Sequence, residues 1–479
     1  MNAKYNRNLI FLFWTIIASR IFSMFLYPLT DSTEARYAHI ALLMAKTNNW
    51  ITPWFDYNVP FWGKPPLSFW FQALSYKIFG IYDFVPRVPS LLVTLATAWL
   101  LYKFVLYIKN KTTALLSIVI FASTGLVYVL SGAVLTDPYL SFATALSFVS
   151  LLMVIEGNRK YWDYMFFVGL GIGLLSKGPL TLVIVGGTIT IWVLFSFKNR
   201  MKELAKLPWF TGIILMLLIS VPWYIAAEYE TPGFLHYFIV GEHIDRFLDP
   251  AWKGDLYGGV HKRVHGYIWY MWLYTSLPWG LSGLILLFRN IFKKPAKKAL
   301  FKALRDDSLF LCVIWMLFMM IFFTIGSNMI STYVLPSLPP LAIVLAIYLN
   351  RNSTFLDKNK KVLYFNAFLA PVIMILVTIY FFFHPATVKT EKFLMQRFKK
   401  LDTNNEPVYF LGKQPFSMKY YYGKKITVTP FDKFNKLLKE KDLKYYVIIN
   451  KSDISKVKDI GKLTKLDNSY DCLLYETKN

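Results

Sequence analysis

Two carboxylates and one lysine, brought together in a short stretch, carry the first chemical signal of this 479-residue sequence. Residues 27–70 read YPLTDSTEARYAHIALLMAKTNNWITPWFDYNVPFWGKPPLSFW. Asp31 and Glu34 stand three apart where a helical pattern begins, so both carboxylates can share one face of a first turn. Either can take a proton as a general base. The plainer role is capping, with Asp31 or Ser32 as N-cap and Glu34 in the favourable first turn. Arg36 and Tyr37 follow at once. Further on, Trp62-Gly63-Lys64-Pro65-Pro66 forms a stiff corner. Gly63 permits close backbone approach, and the prolines keep Lys64 extended rather than helical. A lysine fixed among prolines and aromatics suits one particular phosphate better than lipid headgroups at large.

Other ionisable residues border apolar runs. Asp137 opens TDPYLSF, Lys177 lies in GLLSKGPL, and GEHIDRFLDP supplies Glu242, His243, Asp245 and Arg246. Charges at membrane depth are costly and mark function by default. Taken singly, Asp137 can cap a helix and Lys177 can snorkel to the interface. Their expected convergence on one side of a membrane, beside the first loop, favours a site.

The elements that must position them follow from composition. The chain is 56% hydrophobic and 17% charged, with mean hydropathy +0.41. Soluble domains carry about a quarter charged residues. A spanning helix needs about 20 apolar residues. Eleven stretches qualify, near 9–27, 86–108, 113–130, 138–155, 162–176, 179–197, 209–227, 267–288, 308–326, 332–350 and 362–383. With eleven spans the Lys and Arg clusters of the short loops (among them Lys4, Lys109, Arg159, Lys198, Lys293–Lys302 and Lys358–Lys361) all fall on one side, which is then cytoplasmic. The loops 28–66 and 228–266 and everything after 384 face the other side. Residues 385–479 alternate short strand and helix patterns and are expected to form a small α/β domain; residues 1–384 form the membrane domain. The net charge of +25 is scattered among these loops and the tail, which fits membrane lipids and topology rather than nucleic acid. Cys312 and Cys472 are too differently placed to form a bridge.

The segments DSTEARYAHIA, VPFWGKPPLSFW, TDP, LLSKGP, GEHIDRF and STYVLPSLPPLA occur in an order that resembles the bacterial C-type (GT-C) glycosyltransferases, the group containing lipid A 4-amino-4-deoxy-L-arabinose transferase and the protein O-mannosyltransferases. The resemblance covers about residues 10–350. It implies a polytopic α-helical membrane enzyme of the GT-C type in the bacterial inner membrane, N-terminus cytoplasmic and C-terminal domain periplasmic. It implies transfer of a sugar from a polyprenyl-phosphate donor to a periplasmic acceptor, lipid A or another envelope lipid first, a protein second. It maps the catalytic carboxylates onto Asp31 and Glu34, leaving open which is the base. It maps the phosphate-contacting lysine onto Lys64 and the second loop onto Glu242, His243 and Arg246; Arg36, Tyr37, Asp137, Lys177 and Tyr333 are the further candidates for substrate contact. Three positions depart from the family pattern: Thr33 precedes Glu34, Gly63 precedes Lys64, and Met329 stands near the place of a lysine. No cofactor is assigned with certainty, and a divalent metal is left open. The rival of another class is a transporter or flippase of an anionic lipid, which would more often show paired repeats with broken helices near the midplane.

Overall fold

A computed structural model of the chain describes residues 3–249, 252–258, 261–292, 305–351, 360–402, 406–424, 426–438 and 444–477. The basic clusters at 293–302 and Lys358 lie outside the described residues. Among the described residues seven helices are long and apolar enough to cross a membrane, and a bent pair makes up to eight. The chain is a multi-span membrane protein.

The first helix, α1 (Ala3–Leu26), leads into the first loop, which is itself built of helices α2 (Thr33–Thr47) and α3 (Leu67–Phe79). A small hairpin of β1 (Trp54–Asp56) and β2 (Val59–Pro60) lies between them. Then come α4 (Val88–Ile108), α5 (Lys111–Ser123), α6 (Gly125–Leu130), α7 (Asp137–Ile155), α8 (Trp162–Lys177), α9 (Leu180–Leu194), α10 (Phe197–Leu204) and α11 (Trp209–Glu230). The centre of the bundle is α7, buried along almost its whole length and packed on α4, α8 and α9. Its small polar residues let backbones approach: Ser147 bonds back to Ala143 O and across to Phe166 O of α8, both at 3.1 Å.

Eleven full spans were expected. Each apolar stretch is helical, but α5, α8 and α9 have only 13, 16 and 15 residues. The stretch near 267–288 is not one straight helix. It divides into α12 (Tyr267–Thr275) and α13 (Trp279–Ile291), which meet at 104°. Pro278 at the bend has no N–H to continue the ladder. The break is pinned to the one that splits 113–130: Gly125 N–H donates to Leu277 O at 2.7 Å, and the Trp279 indole to Ser123 Oγ at 2.9 Å. The last apolar helices are α14 (Asp307–Thr324), α15 (Leu338–Arg351) and α16 (Lys360–Phe383).

The tail is the expected α/β domain. Five strands, β3 (Val408–Leu411), β4 (Thr427–Val428), β5 (Tyr446–Asn450), β6 (Leu463–Asn468) and β7 (Cys472–Thr477), order as β4-β3-β5-β7-β6. The first three are parallel, and β7 runs antiparallel to β5 and β6. Its continuous apolar core strands Tyr446–Ile449 are buried on both faces, as parallel sheets require. Helices α17 (Lys392–Leu401), α18 (Phe416–Tyr422) and α19 (Phe431–Leu437) flank it. The domain sits on the first loop: Thr390 Oγ1 donates to Leu29 O at 2.8 Å, and the Tyr76 hydroxyl donates to that of Tyr420 at 3.0 Å. Both cysteines are free and buried.

Candidate active site

Two cavities border the first loop, and the residues singled out from the sequence divide between them. The first, about 310 Å³, collects Lys64, Lys177, Glu242, His243, Arg246 and Tyr333. Five elements supply these six side chains. Lys64 comes from the Lys-Pro-Pro corner, Lys177 from the end of α8, and Tyr333 from the 3₁₀ turn Ser331–Ser337. Glu242 and His243 ride on a wide π-helical segment, His236–Asp245, and Arg246 follows it. Such segments are rare and favour functional sites.

Glu242 organises the cluster. Its Oε2 accepts from Lys64 Nζ at 3.2 Å and from Arg246 Nη1 at 3.0 Å, while the Tyr237 hydroxyl donates to Oε1 at 3.3 Å. Burial would raise its pKa, but the two cations outweigh burial and hold the carboxyl below its ordinary range. Burial likewise works against the Lys64 ammonium, yet Glu242 keeps its pKa above the usual value. Lys177 pairs with Asp137 at 2.8 Å, both side chains 7% exposed, and lies over the Tyr333 ring at 5.1 Å. Asp137 and Lys177, read separately along the sequence, are therefore one buried pair joining the N-terminal end of α7 to the C-terminal end of α8. His243 bridges Phe238 O at 2.7 Å and Lys177 O at 3.1 Å, and burial lowers its pKa. Gly178, at φ +69°, makes this contact possible, because a Cβ there would lie 2.6 Å from the Phe238 ring. Tyr37 and Tyr333 lie within electrostatic range of Lys64.

The sequence reading missed Asp255, which extends the cluster: its Oδ2 faces Arg246 Nη2 at 3.4 Å, and its Oδ1 accepts from the backbone of Tyr257 and Gly258. The Asp-x-Tyr-Gly turn signal in GDLYGG could have flagged it. Three cations and three carboxylates balance. Lys177 spends one of its three N–H groups on Asp137, so donors remain for a ligand. The opposite wall is apolar, from Leu180 and Val183 of α9 and Phe322 and Phe323 of α14. A charged headgroup with a hydrocarbon tail fits both walls.

Asp31 and Glu34 lie on the second cavity, about 550 Å³, with Arg20, Arg87 and Lys389. Neither carboxylate caps α2, whose N-cap Ser32 makes no side-chain bond. Glu34 instead forms a two-pronged pair with Arg87, Nε to Oε1 at 2.8 Å and Nη2 to Oε2 at 2.9 Å. Burial opposes its charge, but Arg87 holds the carboxyl below the ordinary range. Asp31 reaches the other way. Its Oδ1 accepts from Ser417 N at 2.9 Å and its Oδ2 from the Ser417 hydroxyl, at the start of α18. Burial is the larger influence there and raises its pKa. Asp31 thus meets the start of a helix 386 residues onward and not that of the helix its position predicts it to cap. Arg36 donates to Tyr257 O and lies 5.7 Å from the Phe416 ring, so it ties the first and second outer loops and the tail together. The two cavities flank the start of α2: Glu34 belongs to one and Tyr37, one turn on, neighbours Lys64 of the other. Three helical residues rise roughly 4.5 Å.

Among the described residues no three of His, Cys, Asp and Glu are grouped to hold a metal ion. The carboxylates nearest the first cavity are already engaged by Lys64, Lys177 and Arg246, so the donor set does not fit a divalent ion.

The crystal structure of ArnT from Cupriavidus metallidurans bound to undecaprenyl phosphate superposes with TM-score 0.80 at 15% identity, covering 98% of this chain and 97% of that one. This chain shares the fold of that ArnT. The oligosaccharyltransferase of Archaeoglobus fulgidus is more distant, with TM-score 0.52 at 10% identity over 92% of this chain and 69% of that one. Residues 8–238 match the family described as dolichyl-phosphate-mannose-protein mannosyltransferase. The undecaprenyl phosphate-alpha-4-amino-4-deoxy-L-arabinose arabinosyl transferase of Yersinia pestis (strain Pestoides F) is 28% identical over 321 residues, 66% of this chain and 54% of its own. That of Serratia proteamaculans is 28% identical over 347 residues, 70% and 59% respectively. The chain therefore spans little more than half the length of these relatives, although it covers nearly all of the solved ArnT chain.

Proposed function

We propose that this protein is an inner-membrane glycosyltransferase that moves a sugar from a polyprenyl-phosphate donor to an envelope acceptor on the periplasmic face, with a lipid of the lipid A type as first choice. The observation that carries the reading is the first cavity, where Lys64, Lys177 and Arg246 converge at one end of an apolar trough. Relatives with undecaprenyl-phosphate-linked sugar donors in their names support it.

In this reading the donor lays its isoprene units along Leu180, Val183 and Phe322 and its phosphate among the three cations. Glu242 and Asp137 hold those cations in place beforehand, which favours the developing charge over the ground state. The acceptor oxygen attacks the anomeric carbon. The bond from that carbon to the phosphate oxygen breaks, and the polyprenyl phosphate leaves with the electron pair. Asp31 takes the acceptor's proton. Of the two first-loop carboxylates it is the stronger base, since burial raises its pKa while Arg87 lowers that of Glu34. Glu34 then serves as a positioning residue that fixes the start of α2. A single displacement inverts the anomeric centre. Asp255 holds Arg246 from behind.

Purified full-length protein, a polyprenyl-phosphate sugar and lipid A in detergent test the proposal. Mass spectrometry should show lipid A heavier by one sugar. A donor that is carried across vesicle membranes but never cleaved would overturn transfer in favour of transport.

A further inference from the structure

The second cavity contains a charge that sugar transfer leaves unused. Arg20 sits on α1, six residues from its outer end, roughly 9 Å down the helix. It is 3% exposed. Its Nη1 donates to Ser23 Oγ and its Nη2 to Val129 O, both at 2.7 Å. Its Nε has no partner among the described residues. The other buried cations, Arg87, Lys177 and Arg200, each rest on a carboxylate. Arg20 has none within pairing distance among the described residues; both oxygens of Glu34 lie on Arg87 and both of Asp31 on Ser417, and the Arg20 Cζ stands 5.9 Å from the Tyr128 ring.

An unpaired guanidinium at membrane depth is expensive to keep, and the chain makes room for it. The Arg20 head lies against Gly132, where a Cβ would stand 2.5 Å from its Cζ. Around it the cavity has two characters. Val129, Leu130, Met374 and Val377 form an apolar wall. Ile373 and Leu376, the neighbours of those last two on α16, are exposed along the membrane-spanning part of the helix, so this wall borders the bilayer. At the rim, Lys389 is exposed and has no ion pair among the described residues.

We propose that this cavity binds the phosphate of a phosphorylated lipid headgroup, with Arg20 at its base and Lys389 at its rim. Arginine presents a planar fork of donors suited to phosphate, and the apolar wall takes the first carbons of the lipid. The acceptor role of this site rests on the transfer reading above: a lipid acceptor gripped by its phosphate here presents its reacting oxygen to Asp31, which lines the same cavity. An ordinary anionic phospholipid offers the same chemistry, and the probes below separate the two sources.

Full-length protein in phosphatidylcholine nanodiscs is titrated with lipid A, with lipid A stripped of its phosphates and with phosphatidylglycerol, and binding is read by native mass spectrometry. Lipid A should bind at least about tenfold more tightly than its dephosphorylated form, since the charge-assisted hydrogen bonds are lost with the phosphate. Arg20→Gln and Lys389→Gln should each remove most of that preference and leave undecaprenyl phosphate binding unchanged. Lys389 is exposed, so its variant stays informative even where Arg20→Gln does not fold. An unchanged preference in Lys389→Gln and in folded Arg20→Gln overturns the site. Phosphatidylglycerol binding as tightly as lipid A and displacing it overturns the acceptor role while the anion site stands. Lys64→Ala separates the two readings: it should lose the donor and keep phosphate-dependent lipid A binding. If no sugar transfer is ever seen yet that binding persists, the transfer reading alone fails.

Discussion

In the proposed reading one carboxylate, Asp31, both holds the tail domain and accepts a proton. Asn can accept the Ser417 backbone bond through its Oδ1 but cannot take a proton. Asp31→Asn should therefore leave folding and donor binding intact and cut turnover by about 10²–10⁴-fold, the range of general-base catalysis. The pH profile gives a second readout. A base works only when ionised, and burial raises the pKa of Asp31. Turnover of the native protein should fall as pH drops through a value above the ordinary carboxylate range, and this limb should be missing in Asp31→Asn. A normal rate in Asp31→Asn with loss in Glu34→Gln would reverse the two roles. In the same reading Lys64 makes a different demand, because its ammonium must reach both Glu242 and the donor phosphate. Lys64→Ala should raise donor KM and lower kcat strongly. Lys64→Arg should rescue only in part, since a flat guanidinium differs in shape and reach. Steady-state kinetics with varied donor decide this.

The elements couple these residues. The pair Lys177–Asp137 locks the N-terminal end of α7 to the C-terminal end of α8 in the most buried part of the bundle. Lys177→Met leaves a buried carboxylate unpaired and should lower stability by about 3–5 kcal/mol. Asp137→Asn added to it should restore most of the melting temperature in detergent without restoring transfer. At the joint of the tail domain, Glu391 accepts from the Ser469 hydroxyl and is buried near Asp31, which pushes its pKa up to about 7. A carboxyl raised in the folded state is penalised once it ionises, so its contribution is most favourable below the unfolded value of about 4.5 and is lost as pH rises to 7 and beyond. Full-length protein should melt at higher temperature at pH 5.5 than at pH 8. Glu391→Gln should flatten that dependence, and an unchanged slope would assign it to other groups.

For the whole molecule, the tail works through the first loop. It supplies Ser417 to Asp31 and Thr390 to Leu29. Truncation after residue 384 removes both and should lower kcat more than donor affinity, because Lys64, Arg246 and Lys177 are held by other elements. Orientation belongs to this scale as well. With the basic loops on the cytoplasmic side, a reporter active in the periplasm and fused after Asn479 should be active. Activity of a cytoplasmic reporter alone would overturn the arrangement.

The sequence by itself determined the class of molecule. Apolar stretches of about 20 residues permit few structures other than spanning helices, and the shift in composition near residue 384 separates the α/β tail from them. The ionisable residues at the outer helix ends were also legible, since a charge beside an apolar run stands out without any knowledge of the fold. What pairs with what was not legible. That Asp137 meets Lys177, that Lys64 meets Glu242, and that Asp31 meets the start of a helix 386 residues onward depend on contacts between elements distant in sequence. Local pattern cannot distinguish the N-cap of the next helix from the N-cap of a remote one, because both need the same short acidic side chain. The division of the candidate residues between two cavities, and the bend at Leu277-Pro278 pinned by Gly125, were likewise decided by packing. Hydropathy records how much apolar surface a segment has, not which neighbour will cover it.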